Sequence, residues 1–439
     1  MNRLLDAIPP QLRPLVSDRV GVICGLDETL AGADEPPLIR VTAILAAADE
    51  LIGCSLDHVV SVCGTGCSAR EAVAAAIGES VERSSASYLP HERFVVATAD
   101  ELGRAAANPG SFGLFSADQY ARPRFPFVPF ESSTRIRWVD GIELGAGEPA
   151  WLPAELVFLA DAVLPGEHRI AYATSSGLAC AESALTATER GLFELLERDA
   201  FMIVWANRLS LPLLDWSDEP RLVELARTYF DPTGLDYYAV DLSSFHDLPI
   251  VVGVVQAPAS GAALGVGAAA APTVEQAWLK ALAEAFATRS AARKLALVEP
   301  ERTYAADGSD VLTLEDHIHF YADDAHAAEA RFLISGDTRR VSDVPSLEPI
   351  PAEDRVERLV ERIAAVGSRA YAVDVTAPDV RTTGLSVIKT VAPGLCSLDV
   401  PHVARFQGAP RLLDLAERDT LTAPGRFLHD LNPLPHPFP

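Results

Sequence analysis

The chain has 439 residues, 49% of them apolar and 22% charged, enough for one large core or two to three ordinary ones and too apolar for a disordered chain. With 61 acidic against 36 basic residues the formal charge is −25, a surface that repels nucleic acid and anionic membranes, and no basic run offsets it. Six cysteines (Cys24, Cys54, Cys63, Cys67, Cys180, Cys396) are too few and too scattered for a disulfide framework.

The opening "MNRLLDAIPPQLRPLVSD" has no long apolar core and carries early prolines, unlike a signal peptide, which places the protein in the cytoplasm. Residues 1–58 read as a short N-terminal segment ahead of one domain, 59–439. "CGTGC" sets Cys63 near Cys67, but no second Cys or His pair stands at zinc-finger spacing, so no structural zinc is expected.

Three segments then share one order: an apolar strand, a glycine turn, and an Ala-rich helix bearing a glutamate. They are "HVVSVCGTGCSAREAVAAAIGESVERSSASY", "RIAYATSSGLACAESALTATERGLFELLERDAFMIVW" and "AALGVGAAAAPTVEQAWLKALAEAFATRSAARK". Gly66 precedes Glu79 by 13 residues, while Gly177 and Gly267 precede Glu194 and Glu284 by 17 each. Around the start of the third copy, "LPIVVGVVQAPASG" and "AALGVGAAAAPT" are uncharged, yet Gly, Ser, Gln and Pro interrupt them. Two short buried strands joined by a turn fit better than a membrane span. Farther on, "EDHIHF" reads as a strand with His317 and His319 on one face and no third metal ligand near, hence structural. "SGDTRRVSDVPSLEPIPAEDRVERL" reads as a surface loop leading into a charged helix. The last residues, "NPLPHPFP", alternate proline from Pro433 to Pro439. Such a segment is a linker or disordered tail, or a stiff polyproline II path held cheaply in a groove of a partner or of its own fold.

Wound at about 100° per residue, the first helix sets Glu79, Glu82 and Arg83 opposite Val73, Ile77 and Val81. Ala72, Ala75 and Ala76 flank Glu79, where a surface helix would show longer polar residues. The second helix repeats this with Glu194, Glu197 and Arg198 beside Ala187 and Gly191, and the third sets Glu284 among Ala277, Ala281 and Ala287. Carboxylates among small residues indicate a face that something approaches closely, and such carboxylates need partners. Two readings stand: an internal network neutralised by Arg83 and Arg198, or hard oxygen ligands for magnesium with the arginines left for phosphate oxygens. "CGTG" and "TSSG" are neither Walker A nor Rossmann loops and read as tight turns that aim the helices.

With "GESVERSSASY" and "TSSGLACAESALTATERGLFELLERDAF", followed by "SADQYARPRFPFVPF", "RIRWVDGIEL", "EDHIHFYAD", "DVTAPDVRTTGLSVIKTVAPGLCSLDV" and "PHPFP", the chain resembles the YcaO family from about residue 55 onward. The resemblance implies an α/β fold of repeated strand–turn–helix units around a nucleotide site, with ATP and Mg2+ as cofactors. Glu79, Glu82 and Arg83 match the family's first ExxER motif, Glu194, Glu197 and Arg198 the second, and Glu284 with Arg289 the third helix. It further implies that Glu79, Glu82, Glu194 and Glu197 hold magnesium while Arg83, Arg198, Glu284 and Arg289 serve the nucleotide. Thr65 stands where relatives often carry Lys, Ala75 where they often carry Ser, and Ala287 where they commonly carry Gln.

The alternating-proline end resembles that of YcaO proteins that form azoline rings in ribosomal peptides, which implies a Pro439 carboxylate acting as a base, with His436 a lesser candidate. The implied reaction is ATP-dependent cyclodehydration of Cys, Ser or Thr in a precursor peptide. Some 55 residues ahead of the resemblance are too few for a leader-binding module, so a separate ThiF-like partner is expected. A flavin-dependent azoline dehydrogenase and a homodimer within a complex are expected on the same ground. The rivals are a thioamide-forming YcaO protein, which the proline end disfavours, and a non-catalytic scaffold, which Thr65, Ala75 and Ala287 favour.

Overall fold

The structure is a computed structural model and describes residues 3–46, 61–160, 167–413 and 431–438. In chain order, leaving short helical turns unlabelled, its elements are β1 (Ile23–Thr29), β2 (Ile39–Leu45), β3 (Ser61–Gly66), α1 (Ala69–Ser87), β4 (Val95–Ala97), β5 (Ile136–Glu143) and β6 (Glu148–Pro153). There follow β7 (Leu178–Ala181), α2 (Ala184–Asn207), β8 (Leu213–Asp215), β9 (Asp236–Asp241), β10 (Ile250–Gln256), β11 (Leu264–Ala270) and α3 (Val274–Val298). The last are α4 (Leu314–Phe320), β12 (Thr338–Arg340), α5 (Ala352–Ala365), β13 (Tyr371–Asp374) and β14 (Ser386–Val391).

The chain divides into two units. The first comprises residues 1–31, 38–195 and 351–394. It holds an antiparallel sheet ordered β1-β2-β3 and a larger one ordered β4-β5-β13-β14-β7, with β6 paired to β5. Val41, Ala43 and Val62 of the small sheet face Val73, Ile77 and Val81 of α1 in one buried cluster. The N-terminal segment thus supplies two strands to the sheet that carries the first copy. The second unit comprises residues 32–37, 196–350 and 395–439 and holds one sheet ordered β11-β10-β9-β8-β12. β10 and β11 are antiparallel and buried almost throughout, the two short strands expected of that uncharged stretch. The helix α2 contributes residues 184–195 to the first unit and 196–207 to the second.

All three strand–turn–helix copies are present: β3–α1, β7–α2 and β11–α3. The turns start the helices locally. Ser68 Oγ accepts the Glu71 N–H at 3.3 Å, and the Glu71 carboxylate accepts the Cys67 N–H at 2.9 Å; Thr273 caps α3 in the same way through Gln276.

The glycines differ from the expected turn positions. Gly66 closes β3, Gly267 lies inside β11, and Gly177 precedes β7. Inside the strands their purpose is close packing. A Cβ at Gly64 would overlap Ala72 O and Ala76 N, and one at Gly267 would fall 2.7 Å from Ala281 O. The small residues of α1 and α3 are therefore explained in part by the fold itself, because Ala72, Ala76, Ala281 and Ala285 are fully buried against strand backbone. Ala75 alone of the first trio is exposed.

The stretch "EDHIHF" is not a strand but part of α4, started by a capping box between Thr313 and Asp316. Two residues apart on a helix point in nearly opposite directions, so His317 and His319 do not share a face. His317 is buried, and His319 meets Tyr304 Oη at 3.0 Å. The charged helix expected near residue 355 is α5. No helix among the described residues is long and apolar enough to cross a membrane.

Candidate functional site

In the first unit, α1 presents Glu79, Glu82 and Arg83, and the N-terminal half of α2 presents Glu194. Arg83 Nη2 stands 3.4 Å from Glu79 Oε1. Glu82 accepts the Cys180 N–H at 2.6 Å, and Glu194 accepts the Gly177 N–H at 3.2 Å. The carboxyl end of Glu82 is enclosed although the residue is half-buried as a whole. That burial pushes it up to about 8; the Cys180 N–H opposes the rise, the charges of Glu79 and Glu194 add to it, and Arg83 opposes it. Glu79 and Glu194 thus stand near Glu82, and their charges disfavour its ionisation.

Lys389, on β14, was not singled out by the sequence. Its Nζ donates to Thr174 O at 2.6 Å and Ser176 O at 2.8 Å, and burial pulls its ammonium down to about 8, with Glu194 opposing and Arg83 assisting. It pins the loop 174–177, whose Gly177 (φ +79°) gives its carbonyl to Thr390 and its N–H to Glu194. The one available signal was a single charge inside the apolar strand "SVIKTV".

In the second unit, Glu197 accepts the Ala270 N–H at 2.9 Å and forms an ion pair with Arg198, whose Nη1 stands 3.1 Å away. Glu284 accepts the Ala268 N–H at 3.0 Å. Burial pushes its carboxyl up to about 7; Arg198 opposes this and Glu197 adds to it. Arg289 lies deeper, with Nη2 at 2.8 Å from Asp34 Oδ2. Arg293 joins the same carboxylate. Burial works against ionisation of Asp34, but the hydrogen bonds and charges of Arg289 and Arg293 outweigh it and hold the group down to about 2.

The proline-rich segment is neither linker nor disordered over residues 431–438; it lies in a groove of the second unit. Trp205 Nε1 donates to Leu434 O, Tyr321 Oη to Pro435 O, His402 Nε2 to Pro433 O and Arg405 to Asn432 O. His317 faces the carbonyl of His436 at 2.8 Å. His436 is buried, its Nε2 donating to Asp399 O while burial holds the ring neutral. Phe438 is fully buried, and the guanidinium of Arg198 lies over its ring. Pro439 lies outside the described residues.

The structure therefore brings Glu79, Glu82, Arg83 and Glu194 together, and likewise Glu197, Arg198 and Glu284. Arg83 pairs with Glu79 and Arg198 with Glu197, as an internal network requires, whereas Glu82 and Glu284 rest on backbone N–H groups in enclosed positions. Among the described residues, no group of three His, Cys, Asp or Glu side chains forms a ready-made cation cage. The donor chemistry nevertheless suits a hard dication: the carboxyls of Glu82 and Glu284, raised by burial and by the charge of neighbouring glutamates, gain most from an added positive charge. Of the three departures, Thr65 and Ala287 are half-buried and Ala75 is exposed.

The family model described as YcaO cyclodehydratase, ATP- and Mg2+-binding, matches residues 63–396. No curated protein sequence matches the chain. Among solved structures, a heterocyclase in complex with substrate and cofactor is 24% identical with a TM-score of 0.79, over 99% of this chain and 57% of that one. The heterocyclase TruD is 25% identical with a TM-score of 0.64, over 84% and 51%. A YcaO protein from Methanopyrus kandleri, bound with AMPPCP and Mg2+, is 20% identical with a TM-score of 0.63, over 92% and 93%. The chain thus spans a little over half the length of the two heterocyclases. Fold and family model agree: the chain belongs to the YcaO family.

Proposed function

We propose that the chain is an ATP-dependent cyclodehydratase that converts Cys, Ser or Thr residues of a ribosomal precursor peptide to thiazolines or oxazolines. The observation that carries this reading is the seating of the proline-rich segment in its own fold with Phe438 against Arg198 of the second glutamate–arginine motif.

In the proposed reaction the substrate's side-chain thiol or hydroxyl gives its proton to water and adds to the preceding peptide carbonyl. The resulting oxyanion takes the γ-phosphoryl group of ATP, releasing ADP. Loss of phosphate, with removal of the former amide proton, leaves the C=N bond of the ring. Arg83, Arg198 and Arg289 would meet phosphate oxygens, with Glu284 at the nucleotide, and Glu79, Glu82, Glu194 and Glu197 would hold magnesium. Bound magnesium would neutralise phosphate charge. Charge compensation and positioning are then the protein's main contribution. A Pro439 carboxylate, one residue beyond Phe438, would take the amide proton; a stiff segment places such a group at low entropic cost. The proposal includes a separate ThiF-like leader-binding partner, a flavin-dependent dehydrogenase acting on the product, a homodimer within the complex, and a cytoplasmic setting.

The test is phosphate release from Mg·ATP with a precursor peptide and leader-binding partner present, alongside the mass of the peptide. Intact protein should release phosphate and remove one water per ring, and a variant ending at His436 should form no ring. If the intact chain neither binds nor hydrolyses ATP under these conditions, the scaffold reading replaces this one.

A further inference from the structure

Asp34 lies in the link between β1 and β2, within residues 32–37, which belong to the second unit. A local turn sets this link: the Gly32 N–H donates to Glu35 Oε2 at 2.8 Å, and the Glu35 N–H donates to Gly32 O at 3.2 Å. The Asp34 carboxylate faces α3, where Arg289 Nη2 reaches one oxygen at 2.8 Å and Arg293 Nη1 spans both at 2.8 and 3.0 Å.

The two arginines differ in their need for it. Arg293 is 37% exposed and has water as an alternative partner, whereas Arg289 is 2% exposed. A guanidinium cannot shed its proton to escape burial, so Arg289 must be matched by an anion. Asp34 meets it along one side of its fork, and the enclosed Nε has no acceptor among the described residues. A buried charged donor left without an acceptor is costly, and the cost is relieved when a ligand oxygen arrives.

We propose that Asp34 is a positioning residue for Arg289, holding Nη2 so that the remaining donors of the guanidinium are presented to a phosphate oxygen of the nucleotide. The inference rests on the reading of Arg289 as a nucleotide contact. None of the glutamates of the three helices is this carboxylate; it comes from the N-terminal link, 255 residues from Arg289 in sequence.

The test is the Kd of Mg·ATP for the full chain, by calorimetry, in Asp34→Asn, Asp34→Glu, Arg293→Gln, Arg289→Gln and the Asp34→Asn/Arg289→Gln double variant. Asp34→Asn should weaken binding about tenfold, the scale of one charge-assisted hydrogen bond. Asp34→Glu should recover most of that loss and Arg293→Gln should change little. Asp34→Asn should add nothing once Arg289 is Gln. Unchanged or tighter binding by Asp34→Asn, or an equal loss in Arg293→Gln, would overturn the positioning role while leaving Arg289 at the nucleotide. Normal binding by Arg289→Gln would instead remove Arg289 from the nucleotide site, and the inference with it.

Discussion

The guanidinium carbon of Arg198 lies 4.1 Å from the centre of the Phe438 ring. An arginine of the second glutamate–arginine motif is thereby fixed by a residue from the proline-rich segment, 240 positions later. Phe438→Leu keeps most of the volume and removes the ring face. It is expected to lower stability by about 1–2 kcal/mol, the range for a desolvated cation–π contact, and Phe438→Ala by about 3–5 kcal/mol. Denaturant unfolding checks both, and a Phe438→Leu variant as stable as the parent would show that the ring face contributes nothing.

Two glycines should respond in opposite senses to one added methyl group. Gly64→Ala drives a Cβ into α1 backbone and is expected to destabilise by about 1–3 kcal/mol or more as α1 is forced off β3. Gly78, inside α1, has nothing within 4 Å of an added Cβ, so Gly78→Ala is expected to stabilise by about 0.5–1 kcal/mol. Thermal melts of the two variants decide the matter.

Asp399 gives a pH dependence with a defined sign. Its Oδ1 accepts the Phe406 N–H at 2.6 Å, yet burial pushes the carboxyl up to about 6 against the opposing effects of Arg405 and that N–H. Between the ordinary carboxyl range and about 6 the folded chain keeps a proton that the unfolded chain has released. Stability from this group is therefore full below that window and falls as pH rises through it, by about 3 kcal/mol in all. Asp399→Asn should remove that part of the slope in a plot of unfolding free energy against pH; an unaltered slope would mean Asp399 is ionised throughout.

Lys389→Met replaces a buried ammonium by a side chain of similar length. Two carbonyls lose a donor, which costs about 1–3 kcal/mol, and relief from burying a charge offsets part of this. With Glu194 as a magnesium ligand, as proposed above, ATP turnover should fall about ten- to a hundredfold, the scale for removing a group that orients a metal ligand. Turnover unaffected in a folded variant would confine Lys389 to a structural role.

The first helix was legible because helical periodicity alone separates Val73, Ile77 and Val81 from Glu79, Glu82 and Arg83, and the fold obeys that separation. The Ala residues beside Glu79 carried a double meaning: a close approach was readable, but not that strand glycines make it. "EDHIHF" failed because a run of six residues fits a period of two by chance, while the stronger local signal was the Thr313–Asp316 cap. Lys389 and Asp34 gave little warning. Whether a strand lysine points inward depends on register with β7 and β13, and the partners of Asp34 lie far along the chain.

The groove that holds residues 431–438 is lined by donors: the indole of Trp205, the phenol of Tyr321, the imidazole of His402 and the guanidinium of Arg405 each address a carbonyl of the segment. Prolines have carbonyls but no N–H, so the groove recognises the segment partly by a proton that is missing. The same lack means that the segment, if it leaves its groove, cannot complete a hydrogen-bonded ladder on an exposed sheet edge. Its attachment is specific to one place, and a detached segment would offer another chain's strand an edge on which every second residue lacks an N–H.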